Sequence, residues 1–206
     1  MLDYYDRRAP EYDDWWNGTG LFAQRERPGW HEEVASLIDA LRALPPARTL
    51  DVACGTAFLG RHLPGAVTGL DASEAMLAIA RERIPGGNVV EGDALAALPR
   101  LEARHRPSAS PDGAFERVAT GHFYGHLQPG DRERFLAAAR RLAPELLVID
   151  SARRDDVPAE RMDRRILSDG SRHEVFKRWF RPHQLQAELG GGKIVHAGTW
   201  FVAVLA

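Results

Sequence analysis

Cysteine is almost missing from this chain. Cys54 is the only one in 206 residues, so no internal disulfide can form and a reducing compartment is expected. Long apolar runs are missing too: the longest, Thr199–Ala206 (TWFVAVLA), falls far short of the roughly 20 residues a membrane-spanning helix needs. Neither charge dominates. Lys and Arg number 27 and Asp and Glu 29, and a formal net charge of -2 disfavours a polyanion as main partner. The opening stretch, MLDYYDRRAPEYDDWW, is charged and aromatic and lacks the apolar centre of a secretory leader. There is no internal repeat and no low-complexity block. The expectation is a cytoplasmic protein, monomer or homodimer, with no nucleic-acid or membrane partner, and the length favours one domain.

What is present is an alternation of short apolar runs and helical patterns, which is how consecutive βαβ units read. Leu2–Trp16 reads as helical. A second helix follows Pro28, with Val34, Leu37, Ile38, Leu41 and Leu44 on one face, and ends at Pro45–Pro46. Strands are expected at Arg48–Ala53, Ala66–Leu70, Asn88–Glu91, Phe115–Thr120 and Glu145–Asp150. Between them, a helix is expected to start at Phe58–Leu63, another to be capped by Ser73 and a third by Asp131. Arg100–Gly113, rich in Pro, Ser, Gly and Arg, reads as a surface loop. A short helix from Pro182 breaks at Gly190–Gly192. Two final strands, Lys193–Ala197 and Thr199–Leu205, are joined so closely that they form an antiparallel hairpin. The expected fold class is α/β: a doubly wound, mostly parallel seven-stranded sheet closed by that C-terminal hairpin.

Open sheets of this kind bind ligands beyond the carboxyl ends of their strands, where strand order reverses. The first such turn is Asp51-Val-Ala-Cys-Gly55-Thr-Ala57. Gly55 lets the backbone approach a ligand closely. A carboxylate at Asp51 suits a ligand offering donors or positive charge, not a pyrophosphate. Ala53 and Phe58 stand where a dinucleotide fingerprint has its first and third glycines, which disfavours a nicotinamide cofactor. The second strand ends in Asp71, placed to grip ribose hydroxyls. The third ends in Glu91-Gly-Asp93. Carboxylates at three adjacent strand ends are hard to explain as packing, because a buried carboxylate without a partner is costly.

With those motifs in view, DVACGTA, the LDAS of the second strand, the EGDA of the third and the AFERVATGHF of the fourth resemble the ordered motifs of class I S-adenosylmethionine-dependent methyltransferases, of the small-molecule type with a Rossmann-like core. The resemblance implies one methyltransferase domain over 1–206, with 1–45 as a helical lid or cap and 46–206 as the cofactor-binding core. It implies S-adenosyl-L-methionine as cofactor and S-adenosyl-L-homocysteine as product. Ala53 and Gly55 would line the methionine part, and Asp51 would stand just before that turn. Asp71 would hold the ribose hydroxyls, with Ala72 and Met76 beside the adenosine. Asp93 would accept from the adenine amine and Ala94 would donate to the ring, while Thr120 would offer its backbone to the methionyl amine. Tyr12, in the N-terminal lid, would lie near the sulfonium, whose charge an aromatic face attracts. The chain departs from the family at Ala57, where glycine is usual, and at Glu116, where aspartate is.

The acceptor is expected to be a small molecule. Runs of the Asn-Pro-Pro-Tyr kind, which by the same resemblance mark methylation of base amines, are replaced here by Thr120-Gly-His-Phe. The lone cysteine stands in the cofactor turn, where it cannot serve a cytosine C5 mechanism. His122, nearest the end of the fourth strand in GHFYGH, is the candidate catalytic base. Tyr124 and His126 are the other candidates, with shaping of the pocket as the competing role for all three. No metal site is expected. Arg25 and Arg27 either reach the cofactor carboxylate or are solvated. The series Arg161, Arg164, Arg165, Arg172, Arg178 and Arg181 is either a solvated face or an attractor for an anionic substrate, and Trp179 and Phe180 belong to the substrate wall. The alternative to an enzyme is a module that binds the cofactor without turnover, a reading prompted by Ala57 and by the unplaced base.

Overall fold

The computed structural model describes residues 2–104 and 115–206. Seven strands form one sheet: β1 (Thr49–Val52), β2 (Val67–Asp71), β3 (Val89–Glu91), β4 (Arg117–Gly121), β5 (Glu145–Ser151), β8 (Lys193–Ala197) and β9 (Phe201–Leu205), in the order β3-β2-β1-β4-β5-β9-β8. The first five are parallel, and β9 pairs antiparallel with both β5 and β8. Strand order reverses between β1 and β4, so the carboxyl ends of these two strands flank the crevice.

Both sheet faces are buried, so the strands read as continuous apolar runs rather than alternating ones. On β5, Leu146 and Val148 join one core cluster with Val118, Phe135 and Leu185, while Leu147 and Ile149 join the other with Leu37, Leu41 and Phe201. The helix α3 (Trp30–Arg42) covers the second face through Val34, Leu37 and Leu41. Its Glu33 carboxylate accepts from the amides of Thr199, Trp200 and Phe201 at 2.8–2.9 Å, tying the N-terminal part to the C-terminal hairpin.

The expected elements hold, with corrections. The N-terminal aromatic stretch is helical in pieces: α1 (Leu2–Arg8), a 3-10 turn at Ala9–Glu11, and α2 (Asp14–Asn17). No α-helix follows the first turn. Only a 3-10 turn forms at Gly60–His62, because Pro64 forces Leu63 into an extended conformation. Ser73 does cap α4 (Glu74–Arg83), accepting from the Met76 amide. Arg100 does not open a loop: α5 runs Ala94–Arg104 through Pro99, because Leu98 and Leu101 continue its buried stripe. The rest of that expected loop, 105–113, lies outside the described residues. Asp131 sits in the first turn of α6 (Pro129–Leu142), whose cap is Gln128 followed by proline at the first helical position. The helix α7 (Pro182–Glu188) forms as expected.

One element was not expected. Residues read as an arginine-rich surface form a separate antiparallel ribbon, β6 (Glu160–Ile166) with β7 (Arg172–Arg178), joined to the main sheet at the bridge between Ala152 and Phe180. Among the described residues, no helix is long and apolar enough to cross a membrane.

Candidate active site

The turn after β1 carries unusual backbone strain. Ala53, Gly55 and Ala57 all have positive φ, at 54°, 53° and 56°, and so does His122 at the tip of β4, at 56°. Non-glycine residues rarely adopt this region, and such strain gathers at functional sites. Ala57 is fully buried in that conformation, which gives a backbone reason why a glycine would suit the position.

Ala53, Gly55 and His122 line a cleft of about 490 Å³. Ala53 and Gly55 follow β1, Asp71 and Ala72 end β2, Asp93 and Ala94 follow β3, and His122 follows β4. Tyr12 covers it from the N-terminal segment: a Cβ added at Gly55 would meet the Tyr12 ring at 3.4 Å. Tyr5 lines the same space. Burial pushes the Tyr5 phenol up to about 12 and drives Tyr12 higher still, so both rings stay neutral.

The N-terminal segment is pinned over the cleft by polar contacts. Ser73 Oγ donates to Asp6 at 2.5 Å, Thr56 Oγ1 donates to Asp13 at 2.6 Å, and Arg83 pairs with Asp13 at 2.6 Å.

The expected site residues do not all face this cleft. Asp71 does, but its oxygens already accept from the amides of Gly55 at 2.8 Å and Ser73 at 2.9 Å. Burial raises its pKa, and these amide bonds oppose the rise. Asp93 is exposed at the cleft edge and accepts from the Ala96 amide at 3.0 Å, capping α5. Asp51 lies behind the turn, buried against Gly60. Burial, with Asp71 nearby, pushes its carboxyl up to about 7. Met76 is fully buried in the core, and Thr120 is buried with its hydroxyl donating to the Val52 carbonyl at 2.8 Å. The side chains of Asp51, Met76 and Thr120 therefore support the cleft from outside its lining.

His122 stands among Trp15, Trp16 and Phe201. Its Nδ1 lies 3.2 Å from Ser151 Oγ and 3.8 Å from Asp150, while Nε2 is buried without a hydrogen-bond partner among the described residues. Burial, reinforced by Lys177 and Arg165, lowers its pKa well below the usual histidine value, so the ring is neutral near pH 7. His126 donates through Nδ1 to the Phe176 carbonyl at 2.6 Å and is lowered to about 3, chiefly by burial. Tyr124 is a core residue, packed on Phe135 and Phe180. Phe180, expected in the substrate wall, is also fully buried in the core.

Sequence reasoning missed the pair beneath His122. Lys177 Nζ, from β7, meets Asp150, at the end of β5, at 2.5 Å, both buried. Asp150 also accepts from the amides of Gly125 and Ser151 at 2.7 Å. The available signal was the acid closing the buried run ELLVID. No cluster of His, Cys, Asp and Glu able to hold a metal occurs among the described residues.

A doubly wound sheet with a ligand-sized cleft at its switch point, walled by carboxylates and a strained glycine turn, defines an α/β domain of the ligand-binding kind. Residues 49–145 match the family model described as a methyltransferase domain. A dTDP-3-amino-3,6-dideoxy-alpha-D-glucopyranose N,N-dimethyltransferase from Streptomyces fradiae is 41% identical over 98 residues, or 45% of this chain and 36% of that protein. A trans-aconitate 2-methyltransferase from Paracidovorax citrulli (strain AAC00-1) is 35% identical over 108 residues, covering 50% of this chain and 37% of that protein. The chain thus spans little more than a third of the length of these two relatives. A solved DhpI–SAH complex superposes with a TM-score of 0.68 at 25% identity, covering 99% of this chain and 93% of that one. The family match therefore falls on residues 49–145, and the sheet that contains them has the fold of the solved DhpI–SAH complex.

Proposed function

We propose that this chain binds S-adenosyl-L-methionine in the cleft at the tips of β1–β4 and transfers its methyl group to a small-molecule acceptor, releasing S-adenosyl-L-homocysteine. The observation that carries this reading is the convergence of the strained Gly55 turn, Asp71 and Asp93 on one cleft beneath Tyr12, inside the stretch that matches a methyltransferase domain. The residues fit the group. Gly55 lines the cleft without a side chain, so a ligand can lie against its backbone; Asp71 and Asp93 offer acceptors for hydroxyl and amine donors, and the neutral rings of Tyr5 and Tyr12 offer faces to a cation. The relatives act on an amino-sugar nucleotide and on trans-aconitate, which supports a small-molecule acceptor here.

When bound, the cofactor supplies an electrophilic methyl on a positively charged sulfur that leaves as a neutral thioether. The protein's task is alignment and exclusion of water, effects that supply roughly 7–11 kcal/mol in favourable cases. Ala53, Gly55 and Tyr12 hold the reacting end, while Asp71 fixes the turn and faces the ribose. Ala72 flanks the adenosine, with Met76 packed beneath. Asp93 and Ala94 take the adenine edge, Thr120 holds the end of β4 against β1, and Asp51 backs the turn. His122 is neutral, and its Nε2, without a partner among the described residues, would accept a hydrogen bond from the acceptor. Residues 1–45 act as the lid and 46–206 as the core, and the single thiol Cys54 fits a reducing cytoplasm.

Calorimetry tests the reading. Both S-adenosylmethionine and S-adenosylhomocysteine should bind saturably, at least tenfold more weakly to Asp71→Ala. Absence of binding to the folded wild-type protein would remove the proposal.

A further inference from the structure

Beside the cleft lies a second, larger cavity of about 720 Å³ whose chemistry is unlike the rest of the molecule. The whole chain carries a net charge of -2, yet eight of the twenty residues lining this cavity are Arg or Lys and two are acidic. Solvated surface charge does not account for all of them. Lys177 is 3% exposed and Arg8 6%.

Some of this charge is compensated. Arg161 and Arg165 share Asp163 at 3.0 and 2.9 Å, Arg154 meets Asp156 at 3.0 Å, and Lys177 meets Asp150. Arg8 has no carboxylate or hydrogen-bond acceptor among the described residues. Its guanidinium rests over the rings of Tyr4, Tyr12 and Phe22, 5.5–5.8 Å from their centroids. Arg25 is exposed and Arg27 donates to the Trp15 carbonyl at 2.9 Å, neither meeting a carboxylate among the described residues. The Arg8 guanidinium faces the cavity without a protein acceptor, so its N–H donors are open to an incoming oxyanion.

The cavity and the cleft border one another. A narrow chamber between them shares Tyr5, Tyr12, His122 and His126 with the cleft, and Arg8, Trp15, Ser151, Arg165 and Lys177 with the cavity. A molecule whose reacting atom sits by Tyr12 and His122 thus extends its far end onto Arg8 and Arg165. Trp15, Trp30, Trp179 and Trp200 line the walls and limit competition from water.

We propose that this cavity is an oxyanion subsite for the methyl acceptor, in which Arg8 and Arg165 recognise a carboxylate or phosphoryl group. The proposal rests on the methyltransferase reading above and names the acceptor's chemical class. Arg8 comes from the N-terminal lid, so the same segment that covers the cofactor cleft selects the substrate.

The test is calorimetry on the full chain, with and without saturating S-adenosylhomocysteine, using inorganic phosphate, malonate and neutral glycerol as probes. Saturable binding of phosphate or malonate but not glycerol is expected, weakened at least tenfold in Arg8→Gln and in Arg165→Gln. The stronger anion identifies the phosphoryl or carboxylate source. Arg165 lies on the ribbon, partly exposed, so its variant decides the matter if Arg8→Gln fails to fold. Absence of saturable anion binding, or equal binding in wild type and the folded variants, overturns the subsite. Anion binding in a protein that ignores S-adenosylhomocysteine would overturn the cofactor reading and leave the subsite standing.

Discussion

The Asp71 carboxylate reaches from the tip of β2 to the Gly55 amide in the turn after β1, accepting its hydrogen bond at 2.8 Å. A single side chain therefore holds the strained turn in shape and faces the cleft with what remains of its acceptor capacity. Charge-assisted bonds of this kind are worth about 1.5–3 kcal/mol each before the cost of burying the carboxylate. Asp71→Ala should lose about 1–3 kcal/mol in urea denaturation, with cofactor affinity falling further than stability alone explains.

Gly60 is the counterpart behind the turn. A Cβ there would lie 2.2 Å from Asp51 Oδ2, too close for either to stay in place. Gly60→Ala should destabilise the protein by about 1–3 kcal/mol, in the range of overpacked buried sites. The double variant Gly60→Ala/Asp51→Ala should recover part of that loss. Strict additivity in the double-mutant cycle would show that the two residues do not interact.

Asp51 also sets a pH dependence. Its folded pKa, pushed up to about 7, lies above the unfolded value near 3.8, so between these values the folded state binds more protons than the unfolded one. Stability from this group is therefore present at low pH and lost as pH rises through about 7. Thermal melts of wild type and Asp51→Asn should diverge between pH 5 and pH 8, with the variant gaining relative to wild type as pH rises. Parallel melting curves across that range would contradict the assignment.

The Lys177–Asp150 pair is buried on both sides, and its two members come from different sheets. Removing one partner strands the other. Lys177→Met should cost about 3–5 kcal/mol, and Lys177→Met/Asp150→Asn should cost less than Lys177→Met alone. Chemical denaturation of the two variants measures the difference.

Legibility in the sequence followed burial. The strands β1, β2, β4 and β5 are buried on both faces, so TLDV, VTGLD, RVATG and ELLVIDS read as apolar runs with turn residues at their ends. The ribbon β6–β7 did not. ERMDRRI is exposed or half-buried throughout and carries charge on both faces, so neither period stands out. In RHEVFKR only Val175 and Lys177 are buried, and a lysine at the inward position hides the alternation. The carboxylates at the strand tips were legible because the turn after β1 and the acids ending β2 and β3 stand close to their strands in sequence. The contribution of Arg8 was not: it depends on α1 folding back across the sheet, a contact between residues far apart in the chain. For Arg161, Arg164 and Arg165 the sequence favoured a solvated face over an anion attractor, and only the cavity they line with Arg8 and Lys177 favours the second.

The most direct measurement is a crystal structure of the chain with S-adenosylhomocysteine. The account predicts the adenosine between Asp71 and Asp93, with the sulfur beside Gly55 beneath the Tyr12 ring. Ligand density elsewhere, with Asp71 and Asp93 making no contact to it, would contradict the account.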